Sequence, residues 1–130
     1  MTEALGTVLF VEDDDSLRRI VARHLRSLGY VVAEATSAEA AVELLRDGSR
    51  PGVVVLDLNL PGDTGWDFLR APALANAGSP PVIIASATTV SPRRLAEFGC
   101  AGFLPKPFAL DTLVATLERS LHPERETGNR

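Results

Sequence analysis

Val53-Val54-Val55-Leu56-Asp57-Leu58-Asn59-Leu60-Pro61-Gly62 is an apolar run that stops on a carboxylate and then turns at proline and glycine. Four consecutive apolar residues bounded by turn signals read as a strand covered on both faces, the pattern of a parallel sheet flanked by helices. A carboxylate at the end of such a strand costs free energy unless it is paired, so Asp57 is read as having a role. Working outward, Val8-Leu9-Phe10-Val11 and Val82-Ile83-Ile84-Ala85 have the same form and supply two more central strands. Tyr30 to Ala35 is more mixed, and Phe103-Leu104 is short and bounded by Gly102 and Pro105, so both read as strands nearer an edge.

Helical stretches fill the gaps between these runs. Leu17, Ile20, Val21, Leu25 and Leu28 form one expected apolar stripe with Gly29 as a natural stop, and Leu110, Leu113, Val114, Leu117 and Leu121 form another. Ser37 can cap a second helix through about Leu45, and Ser91-Pro92 offers a cap followed by proline at the first helical position. The third helix is expected to be short, kinked or partly loop, because Pro72 falls inside it and Gly78, Pro80 and Pro81 follow. Alternation of this kind defines an α/β class with a parallel sheet.

At 130 residues the chain fits one domain, and 45% hydrophobic with 23% charged residues is the balance of a globular protein rather than a disordered one. No apolar run approaches the roughly eighteen residues of a bilayer span, and Met1-Thr2-Glu3-Ala4 lacks a signal-peptide start, so a cytoplasmic address is expected. The lone Cys100 can form no internal disulfide and no paired-cysteine motif. A net charge of −4 argues against a broad footprint for nucleic acid or an anionic membrane and points to proteins or cations as partners. Of the thirteen basic residues only Lys106 is a lysine.

Ligands of open α/β sheets bind beyond the carboxyl ends of the strands, where strand order reverses. If the strand order is 2-1-3-4-5, one of the doubly wound orders, Glu12, Asp13 and Asp57 converge there. Clustered carboxylates repel unless a cation offsets them, and Mg²⁺ suits hard oxygen ligands together with waters and phosphate oxygens. Asp14 and Asp15 have a plainer reading as acids capping the first helix. A carboxylate beside a metal can attack phosphorus to give an aspartyl phosphate, a transfer assisted by an ammonium and a hydroxyl. Lys106 and Ser86 supply those two groups at the ends of the fifth and fourth strands.

Val11-Glu12-Asp13-Asp14, Asp57 to Gly62 with Gly65, Ser86-Ala87 and Lys106-Pro107-Phe108 stand in order along the chain. With these four motifs the chain resembles a response-regulator receiver domain of two-component signalling, over about Thr7 to Leu121. The resemblance implies a doubly wound (βα)5 flavodoxin-like sandwich with a five-stranded parallel sheet in order 2-1-3-4-5. It leaves residues 1–6 as a lead-in to a receiver at 7–121, and residues 122–130, which carry proline, glycine, asparagine and alternating charges without an apolar face, read as a flexible tail. Asp57 would accept a phosphoryl group from a phosphohistidine on a histidine kinase or histidine phosphotransfer protein. Glu12 (through water), Asp13, Asp57 and the backbone carbonyl of Asn59 would hold Mg²⁺. Ser86 would bond a phosphoryl oxygen and Lys106 would pair with the group. Phe103, at the family's switch position, would turn inward as Ser86 moves, controlling a downstream protein target or passing phosphate along a phosphorelay; plain core packing is the other reading of Phe103. The Met start favours a single-domain regulator over a receiver segment of a longer protein.

Two further functions compete with this one. A phosphorylation-independent receiver-like binding module could lose Asp57, Lys106 or the acidic pair, yet all are present. A Mg²⁺-dependent phosphohydrolase of the haloacid-dehalogenase type wants an acid two positions after its nucleophile, where this chain has Asn59, which cannot transfer a proton in that role. Asp63-Thr64 departs from the usual Met-Asp pair of receivers, and Asp63 reads either as added charge near the metal or as a solvated acid.

Overall fold

Side chains alternate between the two faces of a strand, and here each face of the central strands is apolar, so the chain must build two cores. The computed structural model describes residues 6–122; of the expected lead-in at residues 1–6 and tail at 122–130, residues 1–5 and 123–130 lie outside them, and Gly6 belongs to the first strand. Its elements run β1 (Gly6–Val11), α1 (Asp15–Leu28), β2 (Tyr30–Ala35), α2 (Ala38–Arg46), β3 (Val53–Asp57), α3 (Gly65–Arg70), α4 (Pro72–Asn76), β4 (Val82–Ser86), α5 (Pro92–Glu97), β5 (Gly102–Pro105) and α6 (Leu110–Leu121). The five strands form one sheet in the order β2-β1-β3-β4-β5, all neighbours parallel. The doubly wound architecture read from the sequence is therefore the one observed.

Val8, Phe10, Val53, Val55, Ile83, Ala85 and Leu104 point to the face covered by α1 and α6, where they meet Val21, Leu25, Leu113 and Leu117. Leu9, Val11, Val54, Leu56 and Ile84 point to the opposite face and pack with Ala41 and Leu45 of α2 and with Phe68 and Leu74 of α3 and α4. Burying a side chain of this size contributes roughly 1.5–3 kcal/mol, so the central strands anchor both layers.

The stripe on α1 is rotated from its expected position. Arg18, Val21, Ala22 and Leu25 are the residues it buries, whereas Ile20 and Leu28 are 58% and 44% exposed. On the buried side the Arg18 guanidinium is satisfied by the Glu34 carboxylate and the carbonyl of Glu12, beside Val21, Ala22 and Leu25 in the core.

Pro72 divides the third helical stretch in two. The residue before a proline is pushed out of the helical region, and Ala71 is extended at φ −67° and ψ 132°, so α3 ends and α4 restarts with Pro72 in its first turn. Ser37 and Ser91 cap α2 and α5 as expected. Helix α5 is short and contains no fully buried residue. Phe98, just beyond it, packs on Trp66 of α3 with ring centroids 4.8 Å apart and the planes tilted by 39°, and Arg94 lies over both rings.

Candidate functional site

The parallel register brings every strand end of interest to one edge. Asp57 is level with Ala85, and Ser86 is level with Pro105, so the residues just after β1, β3, β4 and β5 share a single carboxyl-terminal rim. Glu12 follows β1 directly and extends its line, its N–H donating to the carbonyl of Ala35 at 2.9 Å. The N–H of Lys106 donates to the carbonyl of Ser86 at 2.9 Å, which fixes the start of the β5–α6 connection, and the Lys106-Pro107 peptide is cis.

On this rim one carboxylate oxygen each from Glu12, Asp13 and Asp57 lie within 4.8 Å of one another. Glu12 is 1% exposed and Asp57 4%, whereas Asp13 faces solvent. Lys106 Nζ donates to Glu12 Oε1 at 2.5 Å and to Asp57 Oδ2 at 3.1 Å. The second oxygens are held by backbone: Glu12 Oε2 accepts from the N–H of Asp14 at 3.1 Å, and Asp57 Oδ1 accepts from the N–H of Asn59 at 3.0 Å. The two buried carboxylates thus have fixed orientations while Asp13 stays open to water.

Electrostatics mark this as a cation site. Three ionised carboxylates against the one ammonium leave a formal charge of −2. At an effective dielectric of about 20, like charges this close repel by roughly 3 kcal/mol per pair. Burial pushes the Glu12 carboxyl above its ordinary value and the Asp57 charge adds to this, against hydrogen bonds from Lys106 and the Asp14 N–H. Burial opposes the charge on Lys106, but its bonds to Glu12 and Asp57 outweigh that effect and hold the ammonium above its ordinary value. The donors are all hard oxygens and one carboxylate is solvent-facing, which fits Mg²⁺, an ion that binds through a few carboxylates and keeps several waters.

Ser86 is buried at the end of β4, and its hydroxyl accepts from the N–H of Thr88 at 3.1 Å and shares a hydrogen bond with Thr88 Oγ1 at 2.9 Å. Asn59 is exposed in the loop after Asp57. Phe103 is half-buried and packs against the α2–α3 core face. Asp63 is exposed and stands outside the carboxylate group, its N–H bonded to Glu39 Oε2 at 3.3 Å, so it reads as solvated. Asp14 caps α1, its side chain accepting from the Leu17 N–H at 3.1 Å. Burial raises the Cys100 thiol, in keeping with a packing role. Sequence reasoning missed Arg18 and Glu39. An Asp15–Arg18 spacing of three on a helix was the available signal for the first, and nothing in the sequence announced the second.

Residues 8–118 match the family model described as the response regulator receiver domain, and the chain belongs to that family. Among curated proteins it is 34% identical over 121 residues to the sensor kinase CckA of Brucella abortus, covering 92% of this chain and 13% of that protein. It is 32% identical over 115 residues to the response regulator MprA of a Mycobacterium species, covering 88% of this chain and 50% of MprA. The chain therefore spans half or less of the length of these relatives. Among solved structures, the Vibrio cholerae chemotaxis protein CheY4 is 31% identical with a TM-score of 0.81, over 92% of this chain and 100% of CheY4. Receiver domains are phospho-acceptor modules of two-component signalling, and no described helix here is long and apolar enough to cross a membrane.

Proposed function

We propose that this chain accepts a phosphoryl group on Asp57 from a phosphohistidine of a histidine kinase or histidine phosphotransfer protein. The phosphorylated form then changes its contacts with a protein target or passes the group along a phosphorelay. The observation that carries this reading is the Asp57 carboxylate itself, buried at a strand end, held by Lys106 and the Asn59 N–H, and set against Glu12 and Asp13. In the transfer an Asp57 oxygen forms the new bond to phosphorus as the phosphorus–nitrogen bond breaks, and the imidazole departs with that electron pair.

Glu12, Asp13, Asp57 and the carbonyl of Asn59 would hold Mg²⁺, which supplies neutralisation of phosphoryl oxygen charge when bound. Lys106 supplies a second positive charge to that group, and Ser86 a hydroxyl donor once it leaves Thr88. Movement of Ser86 is coupled to Phe103, placing the readout on α5, β5 and α6. The chain catalyses its own phosphorylation and dephosphorylation and, with a net charge of −4, works through protein contacts in the cytoplasm and not on nucleic acid.

Beryllofluoride with Mg²⁺ is the direct test, because it mimics the phosphoryl group without chemistry. Wild type is expected to bind it with a change in Trp66 emission, and Asp57→Asn is expected to show none. A wild type that stays silent in calorimetry as well as fluorescence contradicts the reading.

A further inference from the structure

Arg18 is a buried cation that the phosphoryl chemistry does not use. It is 8% exposed, in the first turns of α1, and its guanidinium makes three separate contacts. Nη1 donates to the backbone carbonyl of Glu12 at 3.0 Å, Nε donates to Glu34 Oε1 at 3.2 Å, and Nη2 lies 2.7 Å from Asp15 Oδ1. Glu34 is itself fixed from its other oxygen by Arg26 Nη1 at 3.0 Å, and Arg26 Nη2 donates to the carbonyl of Val32 at 2.8 Å. The chain of contacts therefore runs from the edge strand β2 through α1 to the end of β1.

The carbonyl it grips belongs to the peptide joining Glu12 to Asp13. Peptide units are planar, so fixing that carbonyl fixes the plane from which the Asp13 backbone leaves. The N–H of Glu12 is already tied to Ala35, and both Glu12 carboxylate oxygens are bonded. Arg18 completes the set, and only the forked guanidinium reaches three acceptors in different directions. Burying a guanidinium is costly where an apolar residue would fill the same core space, which argues for a purpose beyond packing.

We propose that Arg18 is a positioning residue of the acidic site, setting the direction of the Glu12–Asp13 pair for Mg²⁺. This rests on the reading of that site as a Mg²⁺-dependent phosphoryl acceptor. Outer partners of metal ligands act in this way, and their loss costs about 10–100-fold in affinity. The sign of the effect separates positioning from charge alone. Removing a nearby positive charge should tighten binding of a cation, whereas removing the support of its ligands should weaken it.

The experiment titrates Mg²⁺ alone into the full chain by calorimetry, for wild type, Arg18→Gln, Arg18→Lys and Glu34→Asp, alongside urea unfolding. Acetyl phosphate labelling is then followed across Mg²⁺ concentrations. Arg18→Gln is expected to raise the half-saturating Mg²⁺ about tenfold, with the labelling rate at saturating Mg²⁺ within about twofold of wild type. Arg18→Lys keeps one contact and falls between the two. Should Arg18→Gln not fold, Glu34→Asp, which keeps the negative charge and shortens the reach to the arginine, is expected to raise half-saturation about threefold, below the range for outright loss of an outer partner because Arg18 keeps its bond to the Glu12 carbonyl. Unchanged or tighter Mg²⁺ binding in the folded variants, even with a lowered urea midpoint, overturns the proposal and leaves Arg18 a structural residue. Failure of wild type itself to bind Mg²⁺ overturns the site reading on which it rests, and is told apart because it shows in the unmutated chain.

Discussion

Lys106 Nζ lies 2.5 Å from Glu12 Oε1, a bond that joins residues 94 positions apart in the chain. The same ammonium reaches Asp57, so the lysine is the cation this fold itself supplies to its two buried carboxylates. Lys106→Met would leave both uncompensated. The expected loss is about 2–3 kcal/mol at pH 7, somewhat below the cost of breaking a fully buried pair because the lysine is partly exposed. Lys106 titrates above its ordinary value of 10.5 in the fold, so its stabilising contribution is complete below that value and is lost as pH rises through the raised one. Urea unfolding without divalent ions should therefore show a gap between wild type and variant that is steady from pH 7 to 9 and narrows only in strong alkali.

Mg²⁺ should stabilise the wild type in a concentration-dependent way, reaching about 2.7 kcal/mol at a hundredfold excess over its dissociation constant. Asp13→Asn removes the open carboxylate of the cluster and should abolish most of that gain. Asp63→Asn, an exposed acid outside the cluster, should keep it within about 0.5 kcal/mol. Equal loss in both variants would show that general charge, and not the cluster, binds the ion.

Gly65 opens α3 where the backbone passes close behind the acceptor. A Cβ at this position would sit 2.8 Å from the Asp57 carbonyl oxygen and 2.8 Å from Leu58 Cα, both backbone atoms with little room to yield. Gly65→Ala should cost about 1–3 kcal/mol by overpacking and displace the loop after Asp57. Urea midpoints and phosphoryl labelling measured together should fall together.

Helix α5 contains no fully buried residue: Leu95 is only partly buried against the core, and Phe98 just beyond the helix packs on Trp66 with Arg94 over both rings. Local stability follows buried apolar contact, so its amides should exchange hydrogen much faster than those of α1 or α6. Phe98→Ala should speed that exchange further while leaving β1 and β3 protected. Protection in α5 equal to that in α6 would contradict the weak packing described.

The strands were legible because a run covered on both faces carries no polar residue, and Asp57 stood out against such a run. Pro72 disclosed the break between α3 and α4 because its effect on the preceding residue is local. The burial of Arg18 was not legible, because its spacing from Asp15 announces only a pair along the helix while Glu34 is brought to it by the β1–β2 register, which sets Glu34 level with Phe10. The apolar stripe of α1 likewise differs from its expected position, with Ile20 exposed and Arg18 buried in the fold. The meeting of Glu12 with Lys106 followed only from strand order, since no local pattern links positions so far apart.

The central claim is phosphoryl acceptance at Asp57, and intact mass after incubation with acetyl phosphate and Mg²⁺ tests it most directly. One phosphoryl adduct is expected on wild type, with none on Asp57→Asn and none when Mg²⁺ is removed. An adduct that persists in Asp57→Asn, or a folded wild type that takes neither the phosphoryl group nor beryllofluoride, would contradict the account.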